Sequence, residues 1–415
     1  MLESTYLTSE HQLLRDQVAR FVADEIEPHG AQWEEQGSVP RDVLKRMGEL
    51  GFLGLMYSSD YGGAEADPLT NLVFAEALSQ STFGGFIVTV LVHTDMASPH
   101  LHHADTREQL ERYMPSIVRG EKITAVAVTE PDAGSDVAGI RTRAVRHASG
   151  DGSWVLNGSK MFITNGVLAD VYFVAAKTSP EASATMASST FESTSSASPS
   201  SQGSSPPHAP KKKPGSHGIS MFIVEKGTPG FNVSRALKKT GWLSSDTAEL
   251  SFQDCRIPAE NLLGRENEGF YLVMKNFQNE RLMCAAMAVG HAQQALRITL
   301  DYVKQRQAFG HPLWTKQAIR QRLAMLWTKT DALRAYTYHC AWMMNEERDC
   351  VREISGLKAL SGELVNEVLY DCQQFHGGMG YIRETAVERL WRDARILSIG
   401  GGATEVMLDE VAKRL

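Results

Sequence analysis

The sequence predicts an α+β fold: an N-terminal helical domain, a central β-barrel or sandwich domain and a C-terminal four-helix bundle. Three observations carry that prediction. Apolar residues recur at helical spacing through residues 9–120. From about residue 122 the texture changes to short β-rich runs separated by Gly, Asn, Asp and Ser clusters. From about residue 258 long helical runs continue to the end. A chain of 415 residues also exceeds one ordinary core. The expected partition is 1–121, 122–254 and 255–415.

In the first part, Leu14, Val18, Phe21 and Val22 mark one helical stripe, and Val43, Leu44, Met47, Leu50 and Leu53 another. The Tyr61-Gly62-Gly63 loop and the run Asn71–Val92 follow. In the second part, strands are expected over Ala125–Thr129, Trp154–Leu156, Val171–Ala176, Ile219–Val224 and Ala248–Phe252. The stretch 178–217 is dominated by Ser, Pro, Ala and Thr, and holds too little apolar surface to offset chain entropy. It reads as a disordered insertion between two strands. In the third part, helices are expected over 267–307, 314–346, 351–377 and 385–396.

Composition excludes several classes. The formal charge of −7 is spread along the chain, so no basic stripe for nucleic acid is present. No apolar run reaches the length of a membrane span. The N-terminal MLESTYLTSEHQLL lacks the basic, apolar, small-residue progression of a secretory signal. Five cysteines show no metal or CxxC spacing, which suggests reduced thiols and a cytoplasmic setting.

The densest chemical signal is Ala125–Asp136, AVAVTEPDAGSD. Val and Thr favour a strand there, Pro131 removes a donor and ends its ladder, and Gly134 lets backbone approach a ligand. Ser135 adds a hydroxyl. A second strand-like run, Lys160–Gly166, ends in Asn-Gly, a hairpin-turn signal. On a helix over Gly269–Gln294, Val273, Phe277, Glu280, Cys284 and Met287 share one face. Glu280 is the carboxylate in that apolar stripe. It either pairs with a neighbouring helix or, with a pKa raised by desolvation, serves as a general base. Arg281 opens one step round. Arg306–Gly310 closes the helix, and Gln317 follows. The Gly-rich runs 374–381 and 400–402 imply backbone near a ligand, a helix cap or a forced bend.

In order, TEPDAGSD, FITNG, SSDTAELSF, NERL, RQAFG, QFHGGMGY and RDARI resemble the acyl-CoA dehydrogenase family over nearly all of the chain outside 178–217. The resemblance implies FAD held between the β domain and the bundle, partly against a second subunit. It implies that Val128, Thr129, Ser135, Phe162 and Thr164 meet the flavin, with Phe162 where relatives often carry Trp. It implies that Arg306, Phe309 and Gln317, with Gln374, Gly377 and Gly378, hold the dinucleotide across a dimer. Ser135, Arg281 and Gly401 are the implied substrate contacts, and no metal is implied. Acyl-CoA substrate, an electron-transfer flavoprotein acceptor and a homo-oligomer, a dimer of dimers, follow from the same resemblance.

Two departures matter. Many relatives carry the catalytic Glu in the loop after RDA, where this chain has Gly401. Isovaleryl-type and long-chain-type members place it on the bundle helix, where this chain has Glu280. Ala403 replaces a Thr that relatives have near the adenine. The rival functions are an acyl-CoA oxidase returning electrons to O₂, and a non-catalytic flavin- or acyl-CoA-binding subunit.

Overall fold

A computed structural model describes residues 6–178 and 218–415. All but the first residue of the expected insertion therefore lies outside the described residues. The first layer is helical: α1 (Ser9–Phe21), α2 (Gly30–Gln36), α3 (Arg41–Glu49), α4 (Pro68–Leu78), α5 (Gly84–Leu91), α6 (Ser98–Ala104) and α7 (Arg107–Val118). Val18, Phe21, Leu44, Met47 and Leu53 point into the core as their spacing predicts. The apolar run Asn71–Val92 breaks into α4 and α5. Glu27 causes the break by accepting from Ser81 Oγ (2.7 Å), Thr82 N (2.8 Å) and Thr82 Oγ1 (2.7 Å). These bonds offer the backbone an alternative to the helical ladder. Between α5 and α6, Val92–Ala97 winds as a π-helix.

The second layer contains an eight-stranded sheet. Its strands are β1 (Thr124–Ala127), β2 (Arg143–Arg146), β3 (Trp154–Thr164), β4 (Val171–Lys177), β5 (Ile219–Glu225), β6 (Phe231–Ala236), β7 (Thr247–Ile257) and β8 (Leu262–Leu263). The order is β6-β7-β3-β2-β4-β5-β8, with β1 beside β4. Most pairs are antiparallel, but β1 runs parallel to β4, because the intervening β2–β3 excursion is long enough for a crossover. Along β4, Val171, Phe173 and Ala175 join the helical core, while Tyr172, Val174 and Ala176 fill a second core inside the sheet. Burial on both faces explains the unbroken apolar run. The Asn165-Gly166 turn does not form a hairpin: β3 pairs with β2 and β7, not with β4. Asn165 is fully buried instead, and its Nδ2 donates to Thr89 O at 3.0 Å and Thr124 O at 3.3 Å.

The third layer is helical: α8 (Gly269–Gln305), then the ribbon β9 (Gln307–Ala308) and β10 (His311–Pro312), then α9 (Gln317–Asn345), α10 (Val351–His376), α11 (Ala386–Ala394) and α12 (Thr404–Ala412). Helix α8, 37 residues long, packs on α4, α9 and α10. All five cysteines are buried and unpaired.

The three layers meet at Asp393, which is fully buried at the end of α11. Its Oδ2 accepts from Gly84 N at 3.0 Å and its Oδ1 from Trp242 N at 2.5 Å. Gly241 is required here, since a Cβ would lie 2.4 Å from Arg392 O. Arg392 pairs with Glu34 (2.8 Å) and Glu388 (3.1 Å). Asp393→Ala strands two backbone donors and unbalances Arg392. It should cost about 3–5 kcal/mol of stability. An unfolding midpoint equal to the parent's in denaturant would refute this junction.

Candidate active site

Along α8, Val273 and Met287 are buried while Phe277 and Glu280 are half-buried, so the apolar stripe forms as expected with one carboxylate in it. Burial pushes Glu280 up to about 7, against the Asn276 hydrogen bond and the Arg281 charge, both of which favour the anion. Asn276 Nδ2 donates to Glu280 Oε1 at 3.0 Å. Glu280 pairs with no neighbouring helix among the described residues. Arg281 does not open away from this stripe: its guanidinium lies 5.2 Å from the Phe277 ring, near enough to Glu280 to favour the anion. Its electrostatic neighbours beyond Glu280 include Glu410 of α12 and Arg414 just after that helix.

Gly401 faces the same patch of α8. A Cβ there would sit 3.1 Å from Cys284 Sγ, one helical turn beyond Glu280. Gly401 has φ +65 and Gly402 φ +104, so the triple glycine is a forced bend that side chains resist. Lys358 of α10 is fully buried beneath it, and its Nζ donates to Leu397 O at 2.8 Å and to Gly402 O. The bend is thus held by a cation at carbonyl oxygens.

The β-domain residues gather on two adjoining loops. Strand β1 stops at Ala127, short of the expected Thr129, because later residues take the next carbonyls. Lys160 Nζ donates to Val128 O at 3.0 Å, and Met161 N to Thr129 O at 2.9 Å. Lys160 is fully buried and also pairs with Glu130 at 2.7 Å. Glu130 in turn accepts from Arg141 N (2.5 Å) and Thr142 N (3.0 Å). This ion pair fixes both ends of the 130–142 loop. A bulge between Lys160 and Ile163 puts Phe162 at φ +61 and leaves it 61 % exposed. A bulge re-aims a side chain, and a left-handed Phe is strained by about 1–3 kcal/mol. The hydroxyls of Thr129, Ser135 and Thr164 make no side-chain hydrogen bond among the described residues.

The remaining residues cluster at the far end of the bundle. Arg306 caps α8, Phe309 is 93 % exposed at the ribbon tip, and exposed Gln317 starts α9. Exposed Gln374 and Gly377–Gly378 end α10. Tyr302 joins these groups: it accepts from Arg306 N through its carbonyl (2.8 Å), donates to His376 O (3.2 Å) and stacks on the His376 ring. No hydrogen bond among the described residues connects this cluster to Thr129, Phe162 or Thr164. The positions of Gly134, Gly377 and Gly378 have no atom within 4 Å of an added Cβ. Hydroxyls and an Arg306 guanidinium without partners among the described residues, two exposed amides and open glycine backbone suit the phosphates and heteroaromatic rings of a dinucleotide.

Sequence reasoning missed Asn276, Lys358 and the Glu130–Lys160 pair. Each left a signal. Asn276 lies one turn before Glu280, Lys358 sits among buried Ile354, Leu357 and Val365, and Lys160 occupies an inward position of β3.

Family models for the N-terminal, middle and C-terminal domains of acyl-CoA dehydrogenase match residues 8–121, 125–197 and 267–415. The long-chain specific acyl-CoA dehydrogenase of Mus musculus mitochondria is 38% identical over 98% of this chain and 87% of its own length. An acyl-CoA dehydrogenase crystal structure from Geobacillus kaustophilus aligns with TM-score 0.87 and 36% identity, covering 99% of both chains. The FAD complex of PigA aligns with TM-score 0.87 at 25% identity, again over 99% of both. No described helix is long and apolar enough to cross a membrane. No described cluster of His, Cys, Asp and Glu could hold a metal. The three matched domains, the full-length relatives and the shared architecture show that this chain belongs to the acyl-CoA dehydrogenase family of FAD-dependent oxidoreductases.

Proposed function

We propose that the chain oxidises a fatty or branched-chain acyl-CoA thioester to its trans-2-enoyl-CoA, with Glu280 as the base and an electron-transfer flavoprotein as acceptor. The observation that carries the base is a half-buried carboxylate, pushed up to about 7, on the patch that Gly401 faces. Glu280 takes the α-proton on a carboxylate oxygen. The electrons of that C–H bond become the new double bond as the β-hydride departs. The chemistry FAD supplies when bound is acceptance of that hydride. Val128, Thr129, Ser135, Phe162 and Thr164 would hold its flavin end. Arg306, Phe309, Gln317, Gln374, Gly377 and Gly378 would hold the remainder, contributed by a second copy of the chain. Ser135, Arg281 and backbone at Gly401 would orient the thioester, where charge on the carbonyl grows in the transition state. The assembly is a homo-oligomer, a dimer of dimers in the cytoplasm.

Glu280→Gln should keep FAD and bind acyl-CoA yet lose turnover by about 10²–10⁴-fold or more. Near-parental turnover would end the assignment. Stability adds a second readout. A carboxyl with a raised folded pKa stabilises fully below its unfolded value, and that contribution is lost as pH rises towards about 7. The melting temperature of Glu280→Gln relative to the parent should therefore climb from about pH 5 to about pH 8. A pH-independent difference would contradict the burial argument.

Arg306→Ala should weaken flavin retention and subunit association together, because a guanidinium fork grips phosphate bidentately. The measurements are the flavin-to-protein absorbance ratio and the sedimentation coefficient. A fully yellow variant of unchanged assembly would exclude the inter-subunit role.

A further inference from the structure

We propose that Asn276 is a positioning residue for Glu280, holding one carboxylate oxygen so that the other stays free for the substrate's α-proton; this rests on Glu280 being the base. The amide sits at the meeting point of two elements. Asn276 is 1 % exposed, and its Nδ2 donates to Asp95 O at 2.9 Å, Met96 O at 3.3 Å and Glu280 Oε1 at 3.0 Å. All three partners are acceptors, so only the NH₂ end can face them. One hydrogen serves the carboxylate and the other is shared by the two carbonyls.

The Asp95 carbonyl lacks its usual helical donor. The backbone over Val92–Ala97 is π-helical, and Pro99, which would donate to Asp95 O in an α-helix, has no N–H. Asn279, one turn from Asn276, also donates to Asp95 O, at 3.2 Å, but it makes no bond to Glu280. The π-turn therefore anchors the amide, and the amide aims the carboxylate. Asn276 Oδ1 is buried without a partner. That orphaned acceptor shows the side chain oriented for its donor end.

Several titratable or charged groups surround Glu280. On α8 these are Arg281 and Cys284, with Lys275 further towards the N-terminus. From the helical layer come buried Asp95, reached through the two asparagines, and His102 and His103 near Lys275, with His100 beside His103. From α10 comes Lys358 beside Cys284, and from α12 and the residues after it come Glu410 and Arg414 beside Arg281. Of all these neighbours, Asn276 makes the hydrogen bond to the carboxylate, and that bond favours the anion.

The test compares holoenzymes carrying Asn276→Leu, Asn276→Ala or Asn279→Ala with the parent and with Glu280→Gln. The substrate is whichever of butyryl-, octanoyl-, palmitoyl- and isovaleryl-CoA the parent turns over fastest, with a dye acceptor. Removing the donor should move the acid limb of kcat up by about one pH unit. Turnover then falls about tenfold below the limb and recovers to within a few-fold on the alkaline plateau. Asn279→Ala should leave the limb in place. An unmoved limb in both Asn276 variants, or an equal shift in Asn279→Ala, overturns the proposal. Loss of flavin and fold in both, with Asn279→Ala intact, also overturns it by assigning Asn276 to the fold. If Glu280→Gln turns over like the parent, it is the assignment of the base that fails.

Discussion

The buried Asp393 junction is the constraint on which the site geometry depends. One carboxylate takes a backbone N–H from the first helical layer and another from the sheet layer, while itself belonging to α11. Burial, with the Glu34 charge adding to it, pushes that carboxyl up to about 7 against Arg392 and the two backbone donors. A buried charge with fixed donors tolerates few arrangements of the elements that supply them. The chain leaves α11 just after Asp393, at Ala394, and reaches Gly401 eight residues after the junction, so the junction fixes where that segment begins. Lys358 fixes where it turns, through the carbonyls of Leu397 and Gly402.

Glu280 is pushed equally high by burial but is held differently. Asp393 is held by rigid backbone donors, whereas Glu280 has one amide donor, on an apolar stripe with the Arg281 charge nearby. Such a group sits near the balance between charged and neutral forms, which is what proton abstraction near neutral pH requires. The left-handed bend at Gly401 and its closeness to Cys284 explain why this chain does not use that loop for a side chain. A Glu there would need strained backbone and displacement of Cys284.

The β domain presents its loops by the same device of buried polar contacts. The Glu130–Lys160 pair ties the ends of the 130–142 loop to β3, and Asn165 ties the end of β3 to α5 and β1. Between those anchors the bulge turns Phe162 outward. The strain at Phe162 is sustained because its neighbours on both sides are over-determined.

The sequence by itself determined what local periodicity encodes. It determined the helical stripes of Val18–Phe21 and Leu44–Met47, the change to strands near residue 122, the long bundle helices and the isolation of Glu280 on an apolar face. It determined less where a residue's partner is distant in the chain. Asn165-Gly166 reads locally as a hairpin, yet Thr89 and Thr124 claim its side chain. Ala125–Thr129 reads as five strand residues, yet Lys160 and Met161 take the last two carbonyls. The parallel pairing of β1 with β4 has no local signature, since register is set by which faces are buried. Only the tertiary structure decided that Asn276 meets the π-turn, that Lys358 supports the Gly401 bend and that Asp393 joins three layers. Each is a buried polar group whose acceptors or donors come from another element, and hydrogen bonding across such distances is fixed by packing rather than by spacing.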